Sequence, residues 1–231
     1  MTTSGVVTWN PEISDIVEQA GALAGVELRT GFDFRTARFA LNTLFQEFAN
    51  RGLNLWTLES MQQILVAGTE TYTLPTGTVD TFEIAIRINP GVINTQSDVR
   101  INRISQSVYS AIPNKLVQGR PIQYMINRLV APTITFWPVP DASTSWYALI
   151  NYIRRIEDAG GNADNTLDAP TRFLPAIISG LAYQIALRKP DLIERVQMLK
   201  AEYEAQWDMA ASEDREKAPV QLVPYIGPGG W

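Results

Sequence analysis

Hydrophobic period changes twice along this chain, and no other feature limits the possible folds as much. Apolar residues recur at helical spacing through Ile13, Ile16, Val17, Ala20, Leu23 and Ala24. A second such stripe runs through Phe34, Ala37, Leu41, Leu44, Phe45 and Phe48. From about residue 61 to 153 the pattern becomes short runs rich in Val, Ile, Thr, Tyr and Trp, divided by Gly, Pro and Asn, which is a strand signature. Helical spacing returns after Pro170, first with Phe173, Leu174, Ile177, Ile178, Leu181, Ile185 and Ala186, then with Leu192, Val196, Leu199, Tyr203 and Trp207. Four amphipathic helices at the two ends of the chain bury their stripes most economically against one another. The expected fold class is α+β. A four-helix bundle is formed by the N- and C-terminal helices, 1–59 and 156–217. A β-rich lobe, 60–155, is inserted between helices two and three, and 218–231 is an extended C-terminal arm.

Local signals set the expected boundaries. Asn10-Pro11-Glu12 reads as a helix start, with Asn10 as N-cap and Pro11 at the first helical position; Gly25 stops that helix. The second helix runs from near Asp33 to Arg51 and ends at Gly52. Strands are expected at 61–66, 71–74, 81–87, 99–104, 123–127, 133–137 and 146–154. Ser105 caps a short helix at 106–112, and 89–98 reads as a loop. Further on, Ser179, Gly180 and Ala182 are small enough for another helix to approach closely. Asp168 reads as a helix cap, Pro190 as a break, and the charged run at 213–217 as the end of the last helix.

Composition narrows the chemistry. The chain has no cysteine and no histidine, which removes thiolate nucleophiles, Ser-His pairs and the usual zinc ligands. Net charge is −5. Residues 1–59 carry 4 Lys+Arg against 7 Asp+Glu, 60–155 carry 8 against 5, and 156–231 carry 7 against 12. Tight DNA binding needs a dense basic face, and only the middle has even a mild basic excess. No run of about 18 apolar residues is present, so no membrane span is expected. Met1 to Trp9 lacks the basic and apolar regions of a signal peptide, so assembly is expected in cytoplasm.

Two central segments carry the most distinctive motifs. Ile112-Pro113-Asn114-Lys115-Leu116-Val117-Gln118-Gly119-Arg120-Pro121-Ile122-Gln123-Tyr124 reads as a helix end followed by a turn into a strand. Gly119 is free to take positive φ there, and Pro121 forces Arg120 extended. Pro132-Thr133-Ile134-Thr135-Phe136-Trp137-Pro138-Val139-Pro140-Asp141 reads as a strand with Phe136 and Trp137 on opposite faces, stopped by prolines. With Asn50-Arg51-Gly52 ending a helix, Val66-Ala67-Gly68-Thr69-Glu70-Thr71-Tyr72 in a first hairpin, and Arg154-Arg155-Ile156-Glu157-Asp158 followed by Leu167-Asp168-Ala169-Pro170, these segments resemble the phage head-to-tail adaptor family in order and spacing. The resemblance runs from about Pro11 to Lys217. It implies a structural connector rather than an enzyme, a dodecameric ring beneath a portal protein, and a downstream tail or nozzle protein as the next partner. DNA would pass through the lumen without specific binding. The location implied is the head-tail junction of the virion, with no membrane and no cofactor.

Several residues are candidates for contact. The uncharged tail holds Pro219, Val220, Leu222, Val223, Pro224, Tyr225, Ile226 and Trp231, an apolar set restrained by prolines. It either packs on its own subunit or lies along a neighbouring subunit or the portal, as adaptor-family arms do. Gly119, Arg120, Pro121, Tyr124, Trp137 and Pro138 form the structural motif of the lobe. Arg120 either pairs with a neighbouring subunit's acid or decorates a turn, and Tyr124 and Trp137 read as lobe core rather than a sugar platform. Arg154 and Arg155 read as a solvated or salt-bridged pair rather than a phosphate contact. Glu157, Asp158, Asp164 and Asp168 are the carboxylates a glycosidase reading would need. The rival functions are thus a tail-tip or baseplate subunit and a carboxylate-dependent cell-wall hydrolase.

Overall fold

Backbone pairing in the middle of the chain is set by one strand. β8 (Trp146–Arg154) alternates buried and half-buried residues, with Trp146, Ala148, Ile150 and Tyr152 inward. It sits between β1 (Leu58–Leu65) and β3 (Thr78–Ile88), both antiparallel to it, and β4 (Ser97–Arg100) completes a four-stranded sheet in the order β1-β8-β3-β4. A second sheet has the order β2-β7-β6-β5, from β2 (Thr71–Thr73), β5 (Asn102–Arg103), β6 (Gln123–Asn127) and β7 (Thr133–Trp137). Their inner faces share one core, in which Ile84, Ile86, Ala148 and Ile150 of the first sheet meet Tyr124, Ile134 and Phe136 of the second. The Tyr72 and Phe136 rings meet edge to face at 5.9 Å. The chain is a computed structural model that describes residues 5, 9–52, 55–160 and 165–214. Among these it is α+β, with five α-helices and two sheets.

The helices are α1 (Ile13–Ala24), α2 (Gly31–Arg51), α3 (Gln106–Ala111), α4 (Leu174–Ala186) and α5 (Ile193–Glu213). Contacts divide the chain into two compact units, 1–13 with 41–169 and 14–40 with 170–231. The first contains both sheets, α3 and the second half of α2; the second contains most of α1, the first half of α2, α4 and α5. In the second unit α5 buries Leu199, Tyr203 and Trp207. Tyr203 stacks on Tyr183 of α4 at 6.4 Å, and Trp207 meets Phe173 edge to face at 5.8 Å. The last carbonyls of α1, which have no partner within their own helix, are capped from α5: Arg195 Nη1 donates to Ala24 O (3.1 Å) and Nη2 to Leu23 O (3.2 Å).

The three strands at 123–127, 133–137 and 146–154 stand where their patterns place them, and Ser105 Oγ accepts from Val108 N at 3.3 Å as the cap of α3. Other boundaries are corrected. α1 begins at Ile13, beyond Asn10-Pro11, because Glu12 pairs with Thr166 in an antiparallel bridge and Ile13 N–H donates to Asn165 O at 2.9 Å. α2 begins at Gly31, where Thr30 Oγ1 accepts from Asp33 N–H (3.1 Å) and Asp33 Oδ2 accepts from Thr30 N–H (3.2 Å). β1 starts at Leu58 rather than 61, and β3 is longer than 81–87 because two bulges let Thr78, Thr81 and Ile84 all face inward. The expected strand at 99–104 is two strands in two sheets. At Ile101 the chain leaves β3, its N–H bonded to Ile84 O (3.0 Å), and the next residue, Asn102, bonds Ile122 O (3.1 Å). Ser97 and Asp98 belong to β4, not to a loop.

Candidate functional site

Residues 117–119 run beside 137–139. Val139 N–H donates to Val117 O (2.9 Å), Gly119 N–H donates to Val139 O (2.8 Å), and Gln118 and Val139 form a parallel bridge. The expectation of positive φ at Gly119 is not met. Its paired course is open to any residue, and a Cβ there would meet only Pro138 Cβ at 3.8 Å. Pro121 is buried, whereas Arg120 is exposed and makes no ion pair among the described residues.

Tyr124 is a core residue, 3% exposed, and burial pushes its hydroxyl pKa up. Trp137 is not: it is half-buried on the opposite face from Phe136, with Nε1 donating to Asn114 O at 3.2 Å. Strand alternation explains the correction, since Phe136 takes the inward place. The Trp137–Pro138 peptide is cis. The arm candidates Pro219, Val220, Leu222, Val223, Pro224, Tyr225, Ile226 and Trp231 lie outside the described residues, as does Asp164.

Arg154 is the centre of a polar cluster that the sequence shows only in part. Its Nε donates to Glu59 Oε1 (2.7 Å) and its Nη2 to Asp168 Oδ1 (2.9 Å). Tyr152 OH donates to Glu59 Oε2 (2.6 Å), and Glu157 N–H to Asp168 Oδ2 (3.0 Å). Asp168 is therefore a salt-bridge partner and not a helix cap; the turn at Pro170 has no side-chain cap. Glu59 is held below the usual carboxylate range by the hydrogen bond from Tyr152 and then by Arg154. Burial raises Asp168, but the bonds from Arg154 and Glu157 N–H outweigh it and leave it lowered. A glycosidase acid needs the opposite shift. Arg155, on the other face, pairs with Asp158 at 3.1 Å. Tyr152 and Arg154 share a face two residues apart, which hinted at this cluster, but Glu59 joins only through the β1–β8 register, Glu59 opposite Tyr152.

Glu157, Asp158 and Arg155 line an open groove of about 610 Å³, with Leu129 and Val130 on its wall. Among the described residues no group of three His, Cys, Asp or Glu side chains is placed to hold a metal ion, and no helix is long and apolar enough to cross a membrane. The geometry offers a groove walled in part by Leu129 and Val130, and an exposed Arg120 without an ion pair among the described residues.

Comparison with curated proteins finds no match. The family model described as SU10 adaptor protein matches residues 13–223, which takes in both units and every named strand and helix; the chain belongs to this family of phage head-to-tail adaptors.

Proposed function

We propose that this adaptor assembles as a ring beneath the portal, joins capsid to tail, and continues the DNA channel. The single observation that carries the reading is the family match over residues 13–223. The reading has α1, α2, α4 and α5 as a four-helix bundle forming the ring wall, with 1–59 and 156–217 as its two parts. The lobe at 60–155 projects outward or toward the next tail protein, and 218–231 clasps the portal or a neighbouring copy. One heterologous contact, repeated until it closes, gives such a ring, and matching the portal's symmetry makes it a dodecamer. Tethering about twelve modest contacts to one ring makes release require many simultaneous losses. The acidic excess at both ends of the chain suits a conduit in which DNA slides without specific binding. The protein then resides at the head-tail junction of the virion after assembly in the host cytoplasm.

Cryo-electron microscopy of the virion tests this. Density fitting the two sheets and long helices, repeated as a ring between portal and tail, is the expected result. The same density at the distal tip of the tail contradicts it.

A further inference from the structure

Two surfaces of the helical unit differ in charge. α5 turns Leu199, Tyr203 and Trp207 inward. At 100° per residue its opposite face presents Met198, Ala201, Ala205 and Met209, all exposed, with the methionines 56% and 57% accessible. Glu194, Glu202 and Asp208 flank this stripe, and none forms an ion pair among the described residues. Lys200 lies about 145° round the helix from the centre of the stripe, and Arg195 is turned to the α1 carbonyls.

The second surface is a groove of about 270 Å³ between the first turns of α2 and the end of α4. Leu28, Phe32, Ala37 and Ile185 give it an apolar wall, and Arg188 and Lys189 stand at its rim. Phe32 is 69% exposed. Asp33 also lines the groove and Lys189 faces it at 3.5 Å, which leaves Arg188 as the lining cation without an ion pair among the described residues.

We propose that the outer face of α5 in one copy docks on the Phe32–Arg188 groove of the next copy. Charge complementarity selects this occupant: Glu194, Glu202 and Asp208 on one surface meet Arg188 on the other, none of them in an ion pair among the described residues. Methionine side chains adapt to an irregular apolar groove, and the alanines between them let the helix approach closely. α5 of the same chain cannot serve, because it packs its other face on α4, whose Ile185 lines the groove. Two different patches on each copy make the contact heterologous, as ring closure requires. The proposal rests on the ring reading above and names its subunit contact.

The chain has no cysteine, so introduced cysteines report this contact alone. The full chain carrying Thr36→Cys, in the groove lining, and Ala205→Cys is assembled on its portal and treated with a short bismaleimide. A ladder of multimers in the double variant, absent from each single variant, is the expected result. Rings seen by light scattering without a ladder overturn the contact and leave the ring reading standing; absence of rings overturns both. Dimers from Ala205→Cys alone indicate α5 against α5 and also overturn it. Charge reversal provides a second readout. Arg188→Glu, or Glu202→Lys with Asp208→Lys, is expected to abolish rings, and all three together to restore them; a folded triple variant that stays monomeric refutes the pairing.

Discussion

Arg154 grips Asp168 through two guanidinium nitrogens, tying the last residue of β8 to the chain segment that leads out of the sheet unit. The same guanidinium holds Glu59 of β1, 95 residues away in sequence, so one cation joins three segments. Trp56 reinforces the junction by donating Nε1–H to Asp168 O at 3.2 Å.

Replacing this cation should be costly. Arg154→Met leaves two carboxylates without their partner, and breaking a buried pair costs about 3–5 kcal/mol. Arg154 and Asp168 keep side-chain exposures of 20% and 21%, so water recovers part of this and about 2–3 kcal/mol is expected. Urea denaturation followed by tryptophan fluorescence measures it.

Acid should undo the same junction. Glu59 and Asp168 have lowered folded pKa values, so their contribution is complete above the unfolded carboxylate pKa of about 4 and fades as pH falls through the folded values. Stability should therefore drop with decreasing pH below about 4. Asp168→Asn should be less stable at neutral pH and show a shallower acid loss, as thermal melts across pH 2–7 would record.

Gly25 ends α1 at φ +86, a left-handed conformation, and a Cβ there would collide with the Arg195 guanidinium that caps the helix. Gly25→Ala should lower stability by about 1–3 kcal/mol, from backbone strain plus the lost cap. Arg195→Ala should lower it by less, about 1 kcal/mol, because the carbonyls it releases can bond water. Thermal melts of the two variants side by side give the order.

Core truncation is expected to cost more than either. Phe136 is fully buried between the sheets against Tyr72, and Phe136→Ala should cost about 3–5 kcal/mol. A change at exposed Trp9 (69% accessible) should remain within about 0.5 kcal/mol in the same denaturation assay.

Strands β6, β7 and β8 were legible to the residue because clean alternation and proline or glycine turns bound them. The stop of α2 was equally plain, since Gly52 sits at φ +147 after Arg51. Ile101 was not: residues 99–104 read alike whether they pair in one sheet or two, and the choice is made by Ile84 and Ile122, distant in sequence. Asp168 misled for the same reason, its cap signal being local and its Arg154 partner non-local. Asn10-Pro11 lost to a backbone bridge with 165–166 that no local pattern reveals. Of the candidate surfaces, the motif at 117–124 and 137–139 proved contiguous in space, whereas the proposed docking of α5's acids on Arg188 draws on buried faces that no local pattern reveals.

Removal of residues 219–231 tests the proposed portal attachment separately from folding. Deleting 219–231 should leave the melting curve of the sheets and helices unchanged while abolishing retention on a portal affinity column. A truncated chain still retained would assign portal binding to residues outside 219–231.

Mass measurement of the full chain with and without purified portal tests the central claim most directly. The account predicts a complex gaining about twelve copies of the chain per portal ring, in a single sharp step, as one heterologous contact closing on itself requires. A portal that gains no mass at saturating concentrations of the chain, or gains it without a fixed stoichiometry, would contradict the adaptor ring.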